Sequence, residues 1–304
     1  MATSNLKSIF IRYPFLKEIF APALKVRKNI IYKKLIHQEE ILQRLSELMI
    51  NDPIIEIKEF GGTYALDIRS HLFKRLLLEK EYEPELVDVC KRYINKNKDI
   101  IDVGANVGFF SCFFSKQIQN NKVLAIEPTQ NALKRLKHNL ELNKANENVI
   151  LFEGVVSDSE GLLEIKTIEG KEEYSSLGGM NHHGIASEKY VTERVKSITL
   201  DALIKEHKLD PGFIKIDVEG AEHLVFAGAS EVLTQKRPII LSEMCNFLLK
   251  KNGSSAAEVI NFIEKHDYEV INPSDPKIDP RTADFGDALC FPRELGLAKK
   301  HFLK

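Results

Sequence analysis

At 304 residues, the chain is long enough to bury a sizeable hydrophobic core in one domain with an appendage or in two domains. Apolar residues make up 43% of it and charged residues 29%, and the formal net charge of −1 gives no overall basic field that would indicate a nucleic-acid partner. Four widely spaced cysteines argue against a zinc site or a disulfide framework and are typical of free thiols in a reducing compartment: Cys90, Cys112, Cys245 and Cys290.

The first 52 residues differ from the rest in charge. Residues 1 to 36 hold eight Lys or Arg against one acid, Glu18, and apolar residues recur at helical spacing, which predicts two or three helices broken near Pro14 and Pro22. We therefore expect a helical N-terminal extension, residues 1–52, before a catalytic domain, residues 53–304. The basic face of the extension either lies in solvent or binds an acidic or lipid-linked substrate or the cytoplasmic face of a membrane.

Localisation is predicted from what the sequence lacks. No apolar run near the N-terminus is long enough for a signal peptide, and no stretch is long enough to span a membrane. The sequence therefore predicts a cytoplasmic protein, with peripheral association at the cytoplasmic membrane face left open. The oligomeric state is left undetermined.

The segment before residue 100 is predicted to contain two strands and two helices: Ile54–Ile57, Thr63–Ile68, Leu72–Leu78 and Pro84–Tyr93. The stretch from residue 100 to 108, I-I-D-V-G-A-N-V-G, then combines a buried strand, a glycine loop and the start of a helix. Glycines allow a close backbone approach to a ligand, and a helix start offers unpaired N–H groups. The same unit opens dinucleotide-binding domains, where it binds a pyrophosphate.

Two features of this loop favour a ligand without phosphates and with a cationic end. The glycines at positions 104 and 108 have the spacing G-x-x-x-G instead of G-x-G-x-x-G, and Asp102 lies two residues before the first of them. S-adenosylmethionine, with its ammonium and sulfonium groups, fits this description. We therefore expect the loop that includes Ala105 and Asn106 to bind this cofactor.

A second acid supports the same interpretation. The next strand, predicted at Val123–Glu127, ends in a carboxylate 19 residues after Gly108. A carboxylate at this point can accept hydrogen bonds from both ribose hydroxyls of an adenosine. We therefore place Glu127 and the adjoining Pro128 in the cofactor site.

Three successive β-α units predict an α/β fold, with a mostly parallel sheet and helices on both of its faces. Ligands in such sheets bind beyond the carboxyl ends of the strands. The third strand is predicted at Val149–Phe152, so the chain that follows it should line the adenine pocket. Val155 and Val156 are the candidates for apolar contact with the adenine ring.

Two additional strands, Gly161–Thr167 and Val191–Ile198, flank a polar loop at residues 169–189. Glycine-rich polar loops at the carboxyl edge of a sheet often shape substrate pockets. The loop carries His182 and His183, which are either a metal pair or a base, or exposed histidines without a chemical role.

The second informative stretch is F-I-K-I-D-V-E-G-A-E, residues 213–222. Its alternation predicts a central strand, Phe213–Val218, that places Lys215, Asp217 and Glu219 on one face. Three charges on a central strand are unfavourable without partners, so they are expected to face a polar crevice, unless ion pairs between them only close the sheet. A neighbouring strand is predicted to end in Glu243, and a helix is predicted at residues 221–233.

Together these motifs resemble the FkbM family of S-adenosylmethionine-dependent methyltransferases over about residues 63–291. The resemblance rests on D-V-G-A-N-V-G-F-F-S (102–111), I-E-P (126–128), V-K-S-I-T-L-D-A-L (195–203) and above all I-K-I-D-V-E-G-A-E (214–222). It implies a Rossmann-like class I methyltransferase fold with a seven-stranded, mostly parallel sheet. It also implies methyl transfer to oxygen, mostly to hydroxyls of sugars in glycans and glycolipids, or of macrolide-type natural products.

The predicted cofactor is S-adenosylmethionine, and the predicted partner is a hydroxyl-bearing acceptor, with a saccharide preferred over a polyketide-type small molecule. Similarity to the family adds Tyr82 and Glu83 as contacts to the cofactor or the acceptor. The residues assigned to the cofactor are Asp102, Gly104, Ala105, Asn106, Gly108, Glu127, Pro128, Val155, Val156 and Glu83.

In catalysis, Asp217 or Glu219 is expected to take the proton of the acceptor hydroxyl. Lys215 would orient that carboxylate or stabilise the developing alkoxide, and Glu243 is the next candidate for the base. An in-line arrangement of oxygen, methyl carbon and sulfur would supply much of the rate enhancement.

Three alternatives stay open at this stage. In a metal-dependent variant, Asp217, Glu243 and Asn246 would supply oxygen ligands for magnesium, although no metal ligand is assigned. An NAD-dependent oxidoreductase would share the sheet and Glu127, but the glycine spacing and Asp102 argue against it. A non-enzymatic scaffold in a glycan-assembly complex would need none of these carboxylates.

Overall fold

The computed structural model describes residues 40–49, 51–167 and 190–298. The predicted helices before residue 40 and the loop with His182 and His183 lie outside these ranges. The chain divides into two compact units, Met1–Asn51 and Asp52–Lys304. In the first unit, residues 40–48 form a helix, and this segment exposes four apolar side chains: Ile41, Leu45, Leu48 and Met49. Every helix in the described ranges is too short or too polar to cross a lipid bilayer.

The second unit is organised around a large β-sheet. Its described strands are β1 (Ile54–Ile57), β2 (Gly62–Ala65), β3 (Asp99–Val103), β4 (Val123–Glu127), β5 (Val149–Val156), β6 (Gly161–Thr167), β7 (Val191–Ile198), β8 (Pro211–Ile216), β9 (Ile239–Glu243), β10 (Tyr268–Ile271) and β11 (Asp287–Pro292). β1 and β2 form a separate antiparallel hairpin, and the other nine form one sheet in the order β10-β11-β9-β8-β3-β4-β5-β7-β6. The strands from β9 to β7 in this order pair in parallel, whereas β11 and β6 run antiparallel to their neighbours.

The central strands are buried on both faces, as expected for a parallel sheet covered by helices. Every residue of β3 and β4 is buried. Because successive side chains point to opposite faces, Ile100 belongs to one hydrophobic cluster and Ile101 to another, and in β8 the same holds for Phe213 and Ile214. The core therefore consists of two layers, one on each side of the sheet.

Helices supply the other half of each layer. One cluster takes its helical residues from His71–Glu79, Pro84–Tyr93, Phe109–Gln117 and Gln130–Leu142. The other takes them from Leu200–Glu206, Glu222–Ala227, Asn246–Lys251 and Ala256–Lys265. The α/β fold class, a Rossmann-like and mostly parallel sheet with helices on both faces, is therefore confirmed.

The predicted count of seven strands is too low. β5 does not stop at Phe152 but continues to Val156, because its last three residues pair in parallel with β7. β7 then pairs with β6, so these two strands extend the sheet to nine. The sequence suggested an end at Glu153 and Gly154 because a charge and a glycine interrupt the apolar run. Pairing with a distant strand overrides that local signal.

The second motif also folds differently from its prediction. The strand ends at Ile216, and residues 217–221 form a turn in which Glu219 has a φ of 53°. The predicted helix from residue 221 to 233 is only Glu222–Ala227, followed by a separate π-helical segment, Val232–Lys236. The charges after Lys215 therefore lie on a turn at the carboxyl edge of the sheet and not on one strand face.

Candidate active site

Loops at the carboxyl ends of the central strands surround a cavity of about 410 Å³, a volume within the usual range for small-molecule sites. Nearly all of the predicted cofactor residues line it: Glu83, Asp102, Gly104, Ala105, Asn106, Glu127, Pro128, Val155 and Val156. Gly108 is the exception, since it precedes the helix Phe109–Gln117 and is not among the lining residues. The four predicted catalytic residues line the same cavity: Lys215, Asp217, Glu219 and Glu243.

Asp102 is fully buried near the end of β3 and lines the cavity. Its Oδ2 accepts a hydrogen bond from Ser111 Oγ at 2.6 Å, and its Oδ1 has no hydrogen-bond partner among the described residues. Burial raises the pKa of this carboxyl, whereas Lys215 and the Ser111 hydrogen bond oppose the rise. A buried carboxylate oxygen without a partner is unfavourable unless a ligand meets it.

The glycine loop is shaped mainly by contacts within the protein. Gly104 has a φ of +83°, and a Cβ there would lie 1.8 Å from the carbonyl oxygen of Asp217, so only glycine lets the two motifs approach each other. The N–H groups of Gly104 and Ala105 both donate to the Ile126 carbonyl, at 3.0 and 2.9 Å. At Gly108, with a φ of +91°, a Cβ would lie 2.5 Å from the side chain of Leu136. These glycines therefore hold the loop in place. Four N–H groups of the loop are engaged within the protein and not offered to a ligand, namely those of Gly104, Ala105, Asn106 and Gly108.

Glu127 ends β4 and is held at both carboxylate oxygens. Oε1 accepts from the N–H and the hydroxyl of Thr129, at 3.0 and 2.7 Å, and Oε2 accepts from the N–H of Asn106 at 2.9 Å. Burial raises the pKa of Glu127 to about 7, and these three hydrogen bonds act against the rise. Oε1 thus already accepts two hydrogen bonds, whereas Oε2 accepts one and keeps a second lone-pair direction, so the carboxylate can still accept from a ligand hydroxyl.

Lys215 lies beside Asp102 in the register of β8 and β3, and only 5% of it is exposed. Its Nζ is 3.0 Å from Asp217 Oδ2 and 4.8 Å from the centre of the Phe110 ring. Burial alone would lower the pKa of this lysine, but Asp217, Asp102 and Glu83 raise it. Lys215 is therefore a cation among carboxylates, and of the ion pairs expected within this motif the one with Asp217 is present.

Asp217, Glu219 and Glu243 bring carboxylate oxygens within 4.8 Å of one another. Burial and repulsion by Asp217, Glu219 and Glu222 raise the pKa of Glu243 well above its ordinary value. Glu219 belongs to this cluster, although the metal-dependent alternative did not include it. The Oδ1 of Asn246, the third ligand of that alternative, accepts from the N–H of Ala256 at 3.1 Å.

Several residues that shape the site were missed by the sequence reasoning. Thr129 donates to the Glu127 carboxylate, and Ser111 donates to the Asp102 carboxylate. Fully buried Glu222 accepts from the N–H groups of Val218 and Gly220, at 3.3 and 3.2 Å, and these bonds fix the turn after β8. A hydroxyl one or two residues beyond a strand-end acid is the signal that could have identified Thr129.

Asp287 was also missed, although a topological signal existed. It begins β11, which pairs antiparallel with β9, so the first residue of β11 lies opposite the last residue of β9, Glu243. Burial raises the pKa of Asp287 to about 7, with Glu83 and Asp217 adding to the effect. Recognition of the antiparallel last strand would have placed this carboxyl at the site.

A second cavity of about 670 Å³ adjoins the first. Its walls include the helix Pro84–Tyr93 and the segments around Pro273 and Phe285. Six residues line both cavities: Arg75, Glu83, Lys215, Asp217, Glu243 and Phe285. The carboxylates and the lysine of the second motif therefore stand where the two cavities meet.

Glu83, which the resemblance implied as a contact to the cofactor or the acceptor, forms part of this shared wall. It precedes the helix Pro84–Tyr93 with a φ of 48°, and its Oε1 accepts from Arg75 Nη1 at 3.2 Å. Burial and Asp217 raise its pKa, while Lys215 and Arg75 oppose the rise. Tyr82 lines only the first cavity, with its ring 4.7 Å from the Arg75 guanidinium.

Comparison with known proteins adds the following relatives. The crystal structure of M. jannaschii TYW2 in complex with AdoMet is 16% identical, with a TM-score of 0.38 over 79% of this chain and 84% of that one. An O-methyltransferase from Bacillus cereus in complex with SAH is 11% identical, with a TM-score of 0.38 over 83% and 97% of the two chains. The methyltransferase sdnD of Sordaria araneosa is 29% identical over 176 residues, which are 49% of this chain and 68% of that protein. The sequence model of the methyltransferase FkbM domain matches residues 102–270, more than half of the chain.

Proposed function

The chain belongs to the FkbM methyltransferase family, and we propose that it transfers the methyl group of S-adenosylmethionine to a hydroxyl oxygen of a sugar in a glycan or glycolipid. Family membership confirms the resemblance and the methyltransferase class, and it sets aside the NAD-dependent oxidoreductase. The nature of the acceptor and of the methylated atom is the proposal.

The residues of the first cavity fit the cofactor. S-adenosylmethionine would supply a methyl group on a positively charged sulfur. When an oxygen attacks that methyl group, the leaving group is the neutral thioether S-adenosylhomocysteine. Buried Asp102 lines the cavity, and its Oδ1, which has no hydrogen-bond partner among the described residues, suits a cationic group of the cofactor, while Glu127 suits the ribose hydroxyls. Val155 and Val156 line the same cavity and suit the adenine ring.

The observation that carries the acceptor proposal is the wall shared by the two cavities. With the cofactor in the first cavity, an acceptor in the second would meet it beside Lys215, Asp217 and Glu243. Holding the two reactants in line at this wall would replace a bimolecular encounter with an oriented one. The second cavity is thus our proposed acceptor site.

We assign the role of general base to Glu243. The sequence had favoured Asp217 or Glu219 for this role, with Glu243 as the next candidate. The Asp217 carboxylate is already compensated by Lys215 at 3.0 Å, whereas Glu243 has a raised pKa and is therefore the stronger proton acceptor. The Lys215 ammonium would stabilise the alkoxide as the hydroxyl proton leaves. Asp217 would hold Lys215 in position.

The lining of the second cavity supports a polyhydroxylated acceptor. Hydrogen-bonding groups from Glu85, Asp88, Arg92 and Ser274 alternate with apolar surface. A sugar ring presents hydroxyls around its edge and C–H groups on its faces, so it can satisfy both kinds of surface. An extended polyketide would match the apolar residues of this lining but offer fewer hydroxyls to its hydrogen-bonding groups.

We propose that the reaction does not need a divalent ion. The carboxylates of Asp217, Glu219 and Glu243 could hold one, but Lys215 already lies 3.0 Å from Asp217 and would repel a second cation. In this proposal the Lys215 ammonium supplies the positive charge near the reacting oxygen that a divalent ion would otherwise supply.

We also propose that the catalytic domain begins near residue 53 and that the basic N-terminal extension brings the protein to an acidic or lipid-linked acceptor at a membrane surface. The excess of basic residues up to residue 36 supports this role. Sedimentation with vesicles of phosphatidylcholine, with and without phosphatidylglycerol, tests it. Binding that is independent of the anionic lipid would contradict it.

The proposed activity is tested with [methyl-¹³C]S-adenosylmethionine and a panel of neutral and amino methyl glycosides. We expect a ¹³C signal at the chemical shift of an O-methyl group, and we expect Glu243→Gln to abolish most of it. Labelling at nitrogen or carbon, or equal turnover of Glu243→Gln, would contradict the assignment. Saturation with cofactor in each assay separates a chemical defect from weak cofactor binding.

A further inference from the structure

Thr129 precedes the helix Gln130–Leu142, where a threonine hydroxyl usually accepts a hydrogen bond from the helix backbone. Among the described helices, three other hydroxyls at such positions do so. Ser70 accepts from the N–H of Phe73, Thr199 from that of Ala202, and Ser255 from that of Glu258, as their helices begin. Thr129 makes no such bond within the described residues.

The Thr129 hydroxyl is directed toward Glu127 instead. Thr129 is fully buried, and its Oγ1 donates to Glu127 Oε1 at 2.7 Å, in addition to the bond from its own N–H at 3.0 Å. A charge-assisted hydrogen bond of this length is among the stronger ones in proteins. Thr129 therefore does not cap its own helix, while the carboxylate gains a second donor at the same oxygen.

We infer that Thr129 is a positioning residue of the cofactor site, whose hydroxyl fixes the Glu127 carboxylate in the orientation that accepts the ribose hydroxyls. This inference rests on the proposed role of Glu127. Thr129 itself is not among the residues that line the cavity, so it acts through Glu127 and not by direct contact. The Asn106 N–H, at 2.9 Å from Oε2, fixes the other oxygen.

The hydroxyl also favours the charged form of Glu127, whose pKa burial raises to about 7. Among the charged groups around it, Asp102 adds repulsion. Glu153, opposite Glu127 on β5, is in an ion pair with Lys137 at 2.6 Å. Glu193 lies near the same helix start and accepts from the N–H of residue 130. The surroundings are therefore mainly acidic, and the hydrogen bonds from Thr129 and Asn106 are what oppose protonation.

The test is calorimetric titration of S-adenosylhomocysteine against Thr129→Val, Thr129→Ser, Glu127→Gln and Thr199→Val across neutral pH. Thr199→Val is the matched control, since it removes a threonine that does cap a helix. Thr129→Val should weaken binding about tenfold at neutral pH, the factor expected for losing a hydrogen bond to a charged group. Because its Glu127 should take up a proton more readily, the pH at which binding strengthens should move upward.

The outcomes separate the inference from the proposed role of Glu127. Thr129→Ser should bind as the wild type does, and Thr199→Val should lower the melting temperature without weakening binding. If Glu127→Gln binds normally, the proposed role of Glu127 fails. If Glu127→Gln is weak while Thr129→Val keeps both the affinity and the pH profile of the wild type, only the positioning role of Thr129 is overturned.

Discussion

Replacing Lys215 by Met tests whether this lysine compensates the buried carboxylates of the site. Met keeps most of the side-chain volume and removes the charge. Lys215 is 5% exposed, and the loss of its ammonium leaves fully buried Asp102 without a cation. Removing one partner of a buried ion pair destabilises by about 3–5 kcal/mol. Since 34% of the Asp217 side chain is exposed, we expect Lys215→Met to lower the free energy of unfolding by an amount at the lower end of this range, about 3 kcal/mol.

The loss should depend on pH in a defined direction. Without Lys215, the pKa of Asp102 in the folded protein rises further above its unfolded value. Above both pKa values the carboxyl is ionised in both states, so the full penalty applies. As the pH falls through the raised folded pKa, the folded state takes up a proton and regains stability. Lys215→Met should therefore lose most stability in mildly alkaline buffer and least in mildly acidic buffer.

Urea unfolding followed by circular dichroism, at about pH 8.5 and about pH 5.5, measures this difference. Lys98→Met is the matched control, because the Lys98–Asp210 pair is 38% and 52% exposed and its loss should change stability by less than about 1 kcal/mol. Equal losses for Lys215→Met at both pH values would refute the reasoning. They would mean that the lysine acts through packing against Phe110 and not through its charge.

Three further predictions concern binding and catalysis. Ser111→Ala removes the donor to Asp102 and should weaken the binding of S-adenosylhomocysteine about tenfold in calorimetry. Ser115→Ala is the control and should not weaken it, because the Ser115 hydroxyl donates to a carbonyl of its own helix. Equal affinities of the two variants would contradict the role of Ser111. Glu243→Gln should lower kcat about 10²–10³-fold and remove the rise of kcat with pH that a buried base with a raised pKa produces; an unchanged profile would exclude Glu243 as the base. Activity should survive a chelator, and loss that magnesium restores would show that the carboxylate cluster binds an ion.

The central part of the fold could be predicted because its signals are local. The apolar runs before Asp102 and Glu127 are typical of buried parallel strands, and each is followed by a turn and a helix. Strand-end acids then fall at one edge of the sheet by topology alone. This is why most of the residues that we propose to bind the cofactor, named from the sequence, line one cavity.

The peripheral strands could not be predicted as well, because their extent is decided by distant partners. β5 continues past Glu153 only because residues 154–156 pair with β7, about forty residues further along the chain. The end of β8 is set by the turn that Glu222 holds through two backbone N–H groups. The sequence alone does not show that a carboxylate in the first turn of a helix will bind the N–H groups of the preceding turn and so set where the strand ends.

The roles of individual site residues depended on three-dimensional detail that spacing does not encode. Glycine spacing suggested a ligand contact at Gly108. This residue is not among those that line the cavity, and a Cβ at its position would meet the side chain of Leu136. Alternation placed Lys215, Asp217 and Glu219 on one strand face, whereas the structure brings them together through a turn. The three charges form a cluster as predicted, but for a different geometrical reason.

A crystal structure with bound S-adenosylhomocysteine tests the central claim most directly. We expect the ribose hydroxyls within hydrogen-bond distance of the Glu127 carboxylate, the amino-acid portion against Asp102 Oδ1, and the sulfur directed toward the wall that holds Lys215, Asp217 and Glu243. Ligand density outside the cavity, or a ribose that contacts neither carboxylate oxygen of Glu127, would contradict this arrangement.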